Sequence, residues 1–433
     1  MPAFGNRRIL TFFVKSAGNM ICKLLITKKH DSWPGSCYNY RIVGLSRFPD
    51  RTIMRRSARY GRRVPLPQWI GRVRLLALVF GLGLATSASA GLIGPAGGYN
   101  AFVTGNFFSN QNDIQGSLAV GGNATLSSYY IGGNLLNGGN LSLSGGTIAG
   151  TADVFGNADI NNAYVGSGLT ANGYASLTSG TVNGNLAAGT DATLQNSYVA
   201  GNVQAGRNLD VNQSTVGGGA VFGNSANVTQ SSVLGGVAQG QNSVPAPALD
   251  FSAAAHFYSS YAAFLAGLPG NGSVAVTGGA LALTGVDPLL NVFHLSTGQL
   301  NAAAGTAGLA ISVPTGATAL IDVSGASGVL TNFAMTFGSG ASAQDLLFNF
   351  DQATSLAVNA FGLEGSLLAP LANVDVSNGQ IAGNLVAASF SGGQLNLQPF
   401  QGTLPVPEPP AAGLMLAGIA GLGWLGGKKR TLA

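Results

Sequence analysis

Ile131, Ile148, Val165, Val182, Val199, Val216 and Val233 follow one another at intervals of 17 residues without exception. Leu126, Leu143, Ile160, Leu177, Leu194, Val211 and Val228 keep the same interval. A third column runs Leu118, Leu135, Ala152, Leu169, Leu186, Val203, Ala220, Val237, and a fourth runs from Ala124 and Leu141 to Leu209 and Ala226. Self-similarity at a fixed period marks a repeat architecture. Apolar positions two apart mark short strands with one face turned inward. A 17-residue period with about three such strands is one coil of a β-solenoid, each coil stacking on the next through parallel strand bonds. Over residues 116–244, stacking at about 4.8 Å per coil predicts roughly 34 Å of continuous sheet. Asn123, Asn140, Asn157 and Asn208 share one column at a turn, where an amide ladder and left-handed backbone angles are expected. Gly133, Gly150, Gly184, Gly201, Gly218 and Gly235 are expected to supply turn angles that other residues resist.

The repeat stops near Val244. Pro245 and Pro247 precede Asp250, a plausible N-cap, and Phe251, Ala255, Tyr258, Ala262 and Leu265 then recur at helical spacing. A helix over 250–268 is predicted, its apolar side buried along the flank or end of the solenoid. Strand patterns resume over 271–400: Val274/Val276, Leu281/Leu283, Ile311/Val313, Phe333/Met335/Phe337 and Val374/Val376. Ile381-Ala382-Gly383-Asn384-Leu385 echoes Val182-Asn183-Gly184-Asn185-Leu186, so the second half is expected to return to coils of longer, less regular period.

Charge separates this body from both ends of the chain. Of 20 Lys and Arg, 16 lie between Arg7 and Arg74 and three are Lys428, Lys429 and Arg430, leaving Arg207 alone against 13 acids in residues 75–427. A strongly acidic body opposes nucleic-acid binding, which needs phosphate neutralisation. The two cysteines, Cys22 and Cys37, also precede the body, which therefore has no disulfide or thiolate metal site.

Residues 54–90 have the layout of a signal peptide: an Arg-rich start, an apolar core from Leu75 to Ala85, and small residues at Ala88 and Ala90, with cleavage expected after Ala90. Residues 1–53 then read as a start-site extension before Met54, or as an unusually long leader. At the other end Val406-Pro407-Glu408-Pro409 precedes an apolar run and Lys428-Lys429-Arg430. As a helix, residues 411–427 would span roughly 26 Å, marginal for a bilayer, with the basic cluster held on the cytoplasmic side. The tail over 406–430 resembles the PEP-CTERM sorting signal. That resemblance implies processing by signal peptidase and an exosortase of Gram-negative bacteria, with transient anchoring in the inner membrane. The expected class is all-β: a parallel β-solenoid (β-helix) with 17-residue coils, one flanking α-helix and a C-terminal transmembrane helix.

The body resembles the choice-of-anchor A domain, an adhesin-like domain of bacterial surface proteins. The resemblance rests on Tyr99–Val103, Val120–Ala124, Asp287–Phe293, Leu347–Phe350, Ala353–Leu356, Gly365–Pro370, Gly379–Leu385 and Pro399-Phe400, and covers roughly 96–402. Gln398 departs from it, where an aromatic residue is expected before the proline. The resemblance implies a cell-surface or extracellular-matrix role and no catalytic residues.

The residues themselves agree. His256 and His294 are isolated, no His, Cys or paired acids stand at ligand spacing, and no Lys follows the Gly-Gly-Asn turns as a phosphate loop requires. No cofactor or metal is expected. Glu364 is the one Glu of the body before Glu408 and would be the acid of a polysaccharide-degrading β-helix, but glycoside hydrolysis needs a second carboxylate. One column is chemically distinctive. Tyr130, Thr147, Tyr164, Thr181, Tyr198, Thr215 and Ser232 each precede an inward Ile or Val and should point outward. Tyr and Thr suit exposed strands in any case; they would also make an aromatic-hydroxyl face for extracellular polysaccharide or another surface. An ice-binding face would want regular Thr arrays, which bulky Tyr interrupts. The expectation is a non-catalytic, exported adhesive or structural protein, with a carbohydrate- or ice-binding solenoid and a polysaccharide-degrading enzyme as alternatives.

Overall fold

The computed structural model describes the strands Ile9–Ser16, Met20–Thr27 and Arg41–Ile42, and residues 92–406 apart from 93, 241–243, 245–248, 278–279, 304–307 and 333. The first three strands form a small antiparallel sheet within the unit Met1–Leu84. The signal-peptide segment with Ala88 and Ala90, and the tail from Pro407 through Glu408 and Pro409 to Arg430, lie outside the described residues. Among the described residues no helix is long and apolar enough to cross a membrane.

Within the second unit the 17-residue interval is the height of one coil. Leu118–Val120, Ala124–Ser127 and Tyr130–Ile131 are the three strands of a coil, and each bonds in parallel register to the strand 17 residues on. Leu118, Val120, Ala124, Leu126 and Ile131 point inward with at most 1% of their surface exposed. The stacking begins at Ala101–Val103, one coil before the regular sequence pattern, and runs to Val237–Gln239.

Close approach, rather than unusual backbone angle, explains the recurring glycines of the turns. None of Gly133, Gly150, Gly184, Gly201, Gly218 or Gly235 has a positive φ. Asn134 Oδ1 instead accepts from Thr151 N at 2.9 Å, and a Cβ on Gly150 would overlap that oxygen. Asn157 does the same toward Tyr174 N at 3.0 Å, with Gly173 making room. The Asn column at 123, 140 and 157 therefore bonds side chain to the next coil's main chain, not amide to amide. Left-handed backbone lies at a different corner: Gln111, Ser128, Asn162, Ser179, Asn196, Gln213 and Gln230 all have φ between 48° and 55°.

The helix α1 spans Phe251–Ala266, with Asp250 accepting from Ala253 N at 3.0 Å as its N-cap. Its face of Ala254, Tyr258, Tyr261, Ala262 and Leu265 lies on the flank formed by the outward side chains of the first strand of each coil: Val292, Leu320, Leu347, Leu368, Val386, Phe102 and Ala119. A second, short helix not expected from the sequence, α2, spans Thr297–Ala303 and buries Leu300 and Ala303.

After α1 the chain forms a second set of coils that ends against the beginning of the first. Leu290–Ser296 pairs with Thr318–Ser324, that strand with Leu346–Asn349, then Ser366–Ala382, then Leu385–Asn396, all in parallel. Leu385–Asn396 pairs in turn with Ala101–Val103, Phe107–Asn110 and Asp113–Ile114. Phe107 and Phe390 stack across this seam with centroids 4.8 Å apart, so one core runs through both arrays.

Candidate binding face of the solenoid

The third strand of each coil is short and lies beside the left-handed corner. Tyr130, Thr147, Tyr164, Thr181, Tyr198, Thr215 and Ser232 are successive register partners along it, so the sequence column is a physical ladder. The tyrosines are 46%, 38% and 43% exposed, in coil order. Thr147 and Thr181 are half-buried, whereas Thr215 and Ser232 are exposed. Two coils separate successive rings, about 9.6 Å at the parallel strand spacing.

An open hollow runs along the ladder. Its lining takes in Tyr129 with Gly146 and Ala163, which stand one and two coils on in the same column, and the corner residues Ser128, Gly145, Asn162 and Ser179. The hollow measures about 520 Å³ over the coils from Ser128 to Thr181. Tyr129 itself is buried, edge-on to Phe107, and burial pushes its hydroxyl pKa well up.

The same corner continues across the seam. Asn332, Ala360 and Asn378 have φ of 47°, 47° and 52°, matching the corner residues of the first array. A second hollow of about 570 Å³ lies along it, lined by Asn112, Asn378, Gln380 and Gln394 among others. Sequence reasoning missed this extension, because the second array has no fixed period to reveal the column. Both hollows are lined by rings, hydroxyls, amides and backbone, with no charged side chain.

The second face carries no tyrosine on its strands, although Tyr174 from the adjoining turn donates its hydroxyl to Asp159 Oδ2 at 2.9 Å. Its outward side chains form two columns: Thr125, Ser142, Asp159, Ser176, Thr193, Asp210 and, two residues on, Ser127, Ser144, Asn161, Thr178, Gln195, Asn212. Asp159 and Asp210 interrupt the hydroxyl array.

Of the residues considered for chemistry, His294 has structural partners. His294 Nδ1 lies 3.1 Å from Asp322 Oδ2 and its Nε2 lies 2.9 Å from the Leu268 carbonyl. Asn349 donates to Asp322 Oδ1 and to the carbonyl of Ala262, tying α1 to the second array. His256 is exposed on α1, and the Glu364 amide faces the Met335 sulfur at 3.4 Å. Among the described residues no group of three or more His, Cys, Asp or Glu could hold a metal. Val406, the first residue of the tail motif, is exposed.

The family of ice-binding-like adhesive domains matches residues 92–174 and 134–397, which together take in both arrays, the seam and α1. The chain belongs to this adhesive family. No curated protein and no solved structure matches the chain. Membership in an adhesive family agrees with a non-catalytic role at a surface or outside the cell. The stretches on which the choice-of-anchor A resemblance rests turn out to be structural. Asn100, Asn349 and Asn384 hold the seam and helix, and Asp287 accepts from Leu289 N and Leu290 N in a turn. In this ice-binding-like adhesive domain the ladder residues lie apart from those stretches.

Proposed function

We propose that this chain is an exported, non-catalytic surface adhesive protein that holds an extended, uncharged polysaccharide along the third-face hollow. The observation that carries the reading is the spacing of Tyr130, Tyr164 and Tyr198 at every second coil beside an uncharged hollow. Aromatic rings at regular separation offer stacking planes for sugar rings, and the intervening Thr147, Thr181 and corner amides offer hydrogen bonds. An acidic polymer would meet repulsion from a body with 13 acids and a single Arg. The test is a pull-down on neutral extracellular polysaccharides and a glycan array, with Tyr130, Tyr164 and Tyr198 changed together to Ala. Loss of binding with unchanged circular dichroism supports the assignment, and undiminished binding removes it.

The second face favours a second reading, adhesion to ice through its Ser/Thr columns. Thr125→Tyr with Thr193→Tyr would abolish ice recrystallisation inhibition in that case and leave glycan binding intact.

Sorting completes the proposal. The order Pro407-Glu408-Pro409, apolar run, Lys428-Lys429-Arg430 supports exosortase processing after signal-peptide removal near Ala90, a transient inner-membrane stage and final placement at the cell surface or matrix. Fractionation with and without exosortase tests this: a tail left uncut in both strains removes the sorting step.

A further inference from the structure

The two ends of the solenoid differ. At the end reached by the second array, α2 lies against the strand Ser327–Thr331, with Asn301 Oδ1 accepting from Val329 N at 3.0 Å. The hairpin Ser273–Thr277/Ala280–Thr284 extends the third face there in antiparallel fashion. Asn271 closes the first face by bonding to Val292 N and to the carbonyls of Val292 and Leu290. The first and second faces of that end are thereby covered, and on the third only the outer hairpin strand Ser273–Thr277 bonds on one side alone.

The other end has no such cover among the described residues. Ser225–Thr229, Ser232–Val233 and Val237–Gln239 each bond on one side only, to the coil before. Inward columns that are fully covered one coil earlier come to the surface here: Val228 is 40% exposed against 0% for Val211, and Val237 is 42% exposed against 1% for Ala220. Leu234 beside them is 73% exposed. Soluble proteins blunt such edges with charge, proline, bulges or a cover. Residues 220–240 contain no charged residue and no proline.

We propose that this end is a two-fold interface joining two copies of the chain. The occupant must supply three strand edges around the same three-sided section, together with apolar side chains at its centre. The chain's own open end supplies them, whereas its opposite end, covered by α2 and Asn271, leaves the single edge of Ser273–Thr277. Head-to-tail stacking would match one edge of three, whereas head-to-head pairing matches all three and closes on itself. Charge points the same way: two acidic bodies meet with least repulsion through a terminal coil that carries none. A two-fold axis across the solenoid reverses strand direction. It sets Ser225–Thr229 antiparallel to its own copy about Asn227, and Ser232–Val233 against the other copy's Val237–Gln239. Val228 and Val237 become covered at the centre.

The experiment is sedimentation of the full chain in detergent, beside Val228→Lys and beside Asn227→Cys made in a chain whose Cys22 and Cys37 are Ser. Wild type is expected at twice the 43.4 kDa chain mass. Val228→Lys should sediment as a monomer with unchanged circular dichroism, since its side chain faces an open end. Asn227→Cys should give a disulfide-linked dimer on oxidation. A monomeric wild type with no cross-link at position 227 overturns the proposal. So does a dimer indifferent to Val228→Lys, which would place association in the apolar tail, and so does an open-ended series of larger species.

Discussion

Asn100 donates its side-chain amide to the carbonyl of Gly383 over 2.8 Å, across 283 residues of sequence. The bond lies at the seam where the last coil of the chain meets the first. Around it, Asn384 Nδ2 reaches the Tyr99 carbonyl and Leu385 N reaches the Asn100 carbonyl, each at 2.9 Å. Asn100 Oδ1 also accepts from Gly116 N. Asn100→Ala would leave the Gly383 carbonyl and the Gly116 amide without this partner and is expected to lower the unfolding free energy by about 1–3 kcal/mol. Urea unfolding checks it: the midpoint should fall with the slope unchanged.

The asparagine-glycine rule of the turns predicts a specific coupling. A Cβ on Gly173 would overlap Asn157 Oδ1, the acceptor for Tyr174 N. Gly173→Ala should therefore displace that carboxamide and cost about 1 kcal/mol, the worth of one hydrogen bond. Asn157→Ala should cost a similar amount. The double variant should cost clearly less than the two together, because both remove the same bond. Additive losses in thermal unfolding would contradict this account.

Helix α1 should be held by its buried side. Leu265 is fully buried against the flank of the second array. Leu265→Ala is expected to cost about 2–5 kcal/mol through lost burial and the cavity left behind. Hydrogen exchange should show the loss first in residues 251–266 and in the seam they cover.

Two aspartates should respond to pH in opposite senses. The amides of Leu289 and Leu290 hold the Asp287 carboxyl below its ordinary value of 3.8. Its contribution is full above that value and is lost as pH falls through the lower folded-state value. Burial, with the nearby Asp322 charge, raises Asp351 above 3.8. Its charge opposes folding at neutral pH, and this opposition fades as pH falls through the raised value. Asp351→Asn should thus raise Tm at pH 7 with the gain vanishing in acid. Asp287→Asn should lower Tm at pH 7, with the deficit shrinking below about pH 4. Melting curves of both variants from pH 7 to pH 3 decide it.

The coil was legible because each of its inward positions is repeated. Where a column is broken, the pattern was silent: Val103, Val120, Val154 and Ala171 form a further inward column that escaped notice at Asn137, which is buried and donates its amide to Gly139. The outward Tyr/Thr ladder was equally legible, since its neighbours Ile131 and Val165 fix its direction. The hollow beside it was not, because its lining draws on corner residues such as Ser128, Asn162 and Ser179 that follow no apolar pattern.

The sequence by itself determined the coil height, the strands of the first array, the acidic body and the helix from Asp250. Each of these follows from short-range pattern: a stacked coil meets the same neighbours every 17 residues, so its core is written locally. Only the tertiary structure decided that the second array returns to the front of the first, that α1 covers the flank beside that junction, and that α2 lies over one end while, among the described residues, the other leaves three strand edges unpaired. Those relations join Asn100 to Gly383 and Phe107 to Phe390, pairs brought together by strand register between distant segments rather than by any periodicity either segment carries.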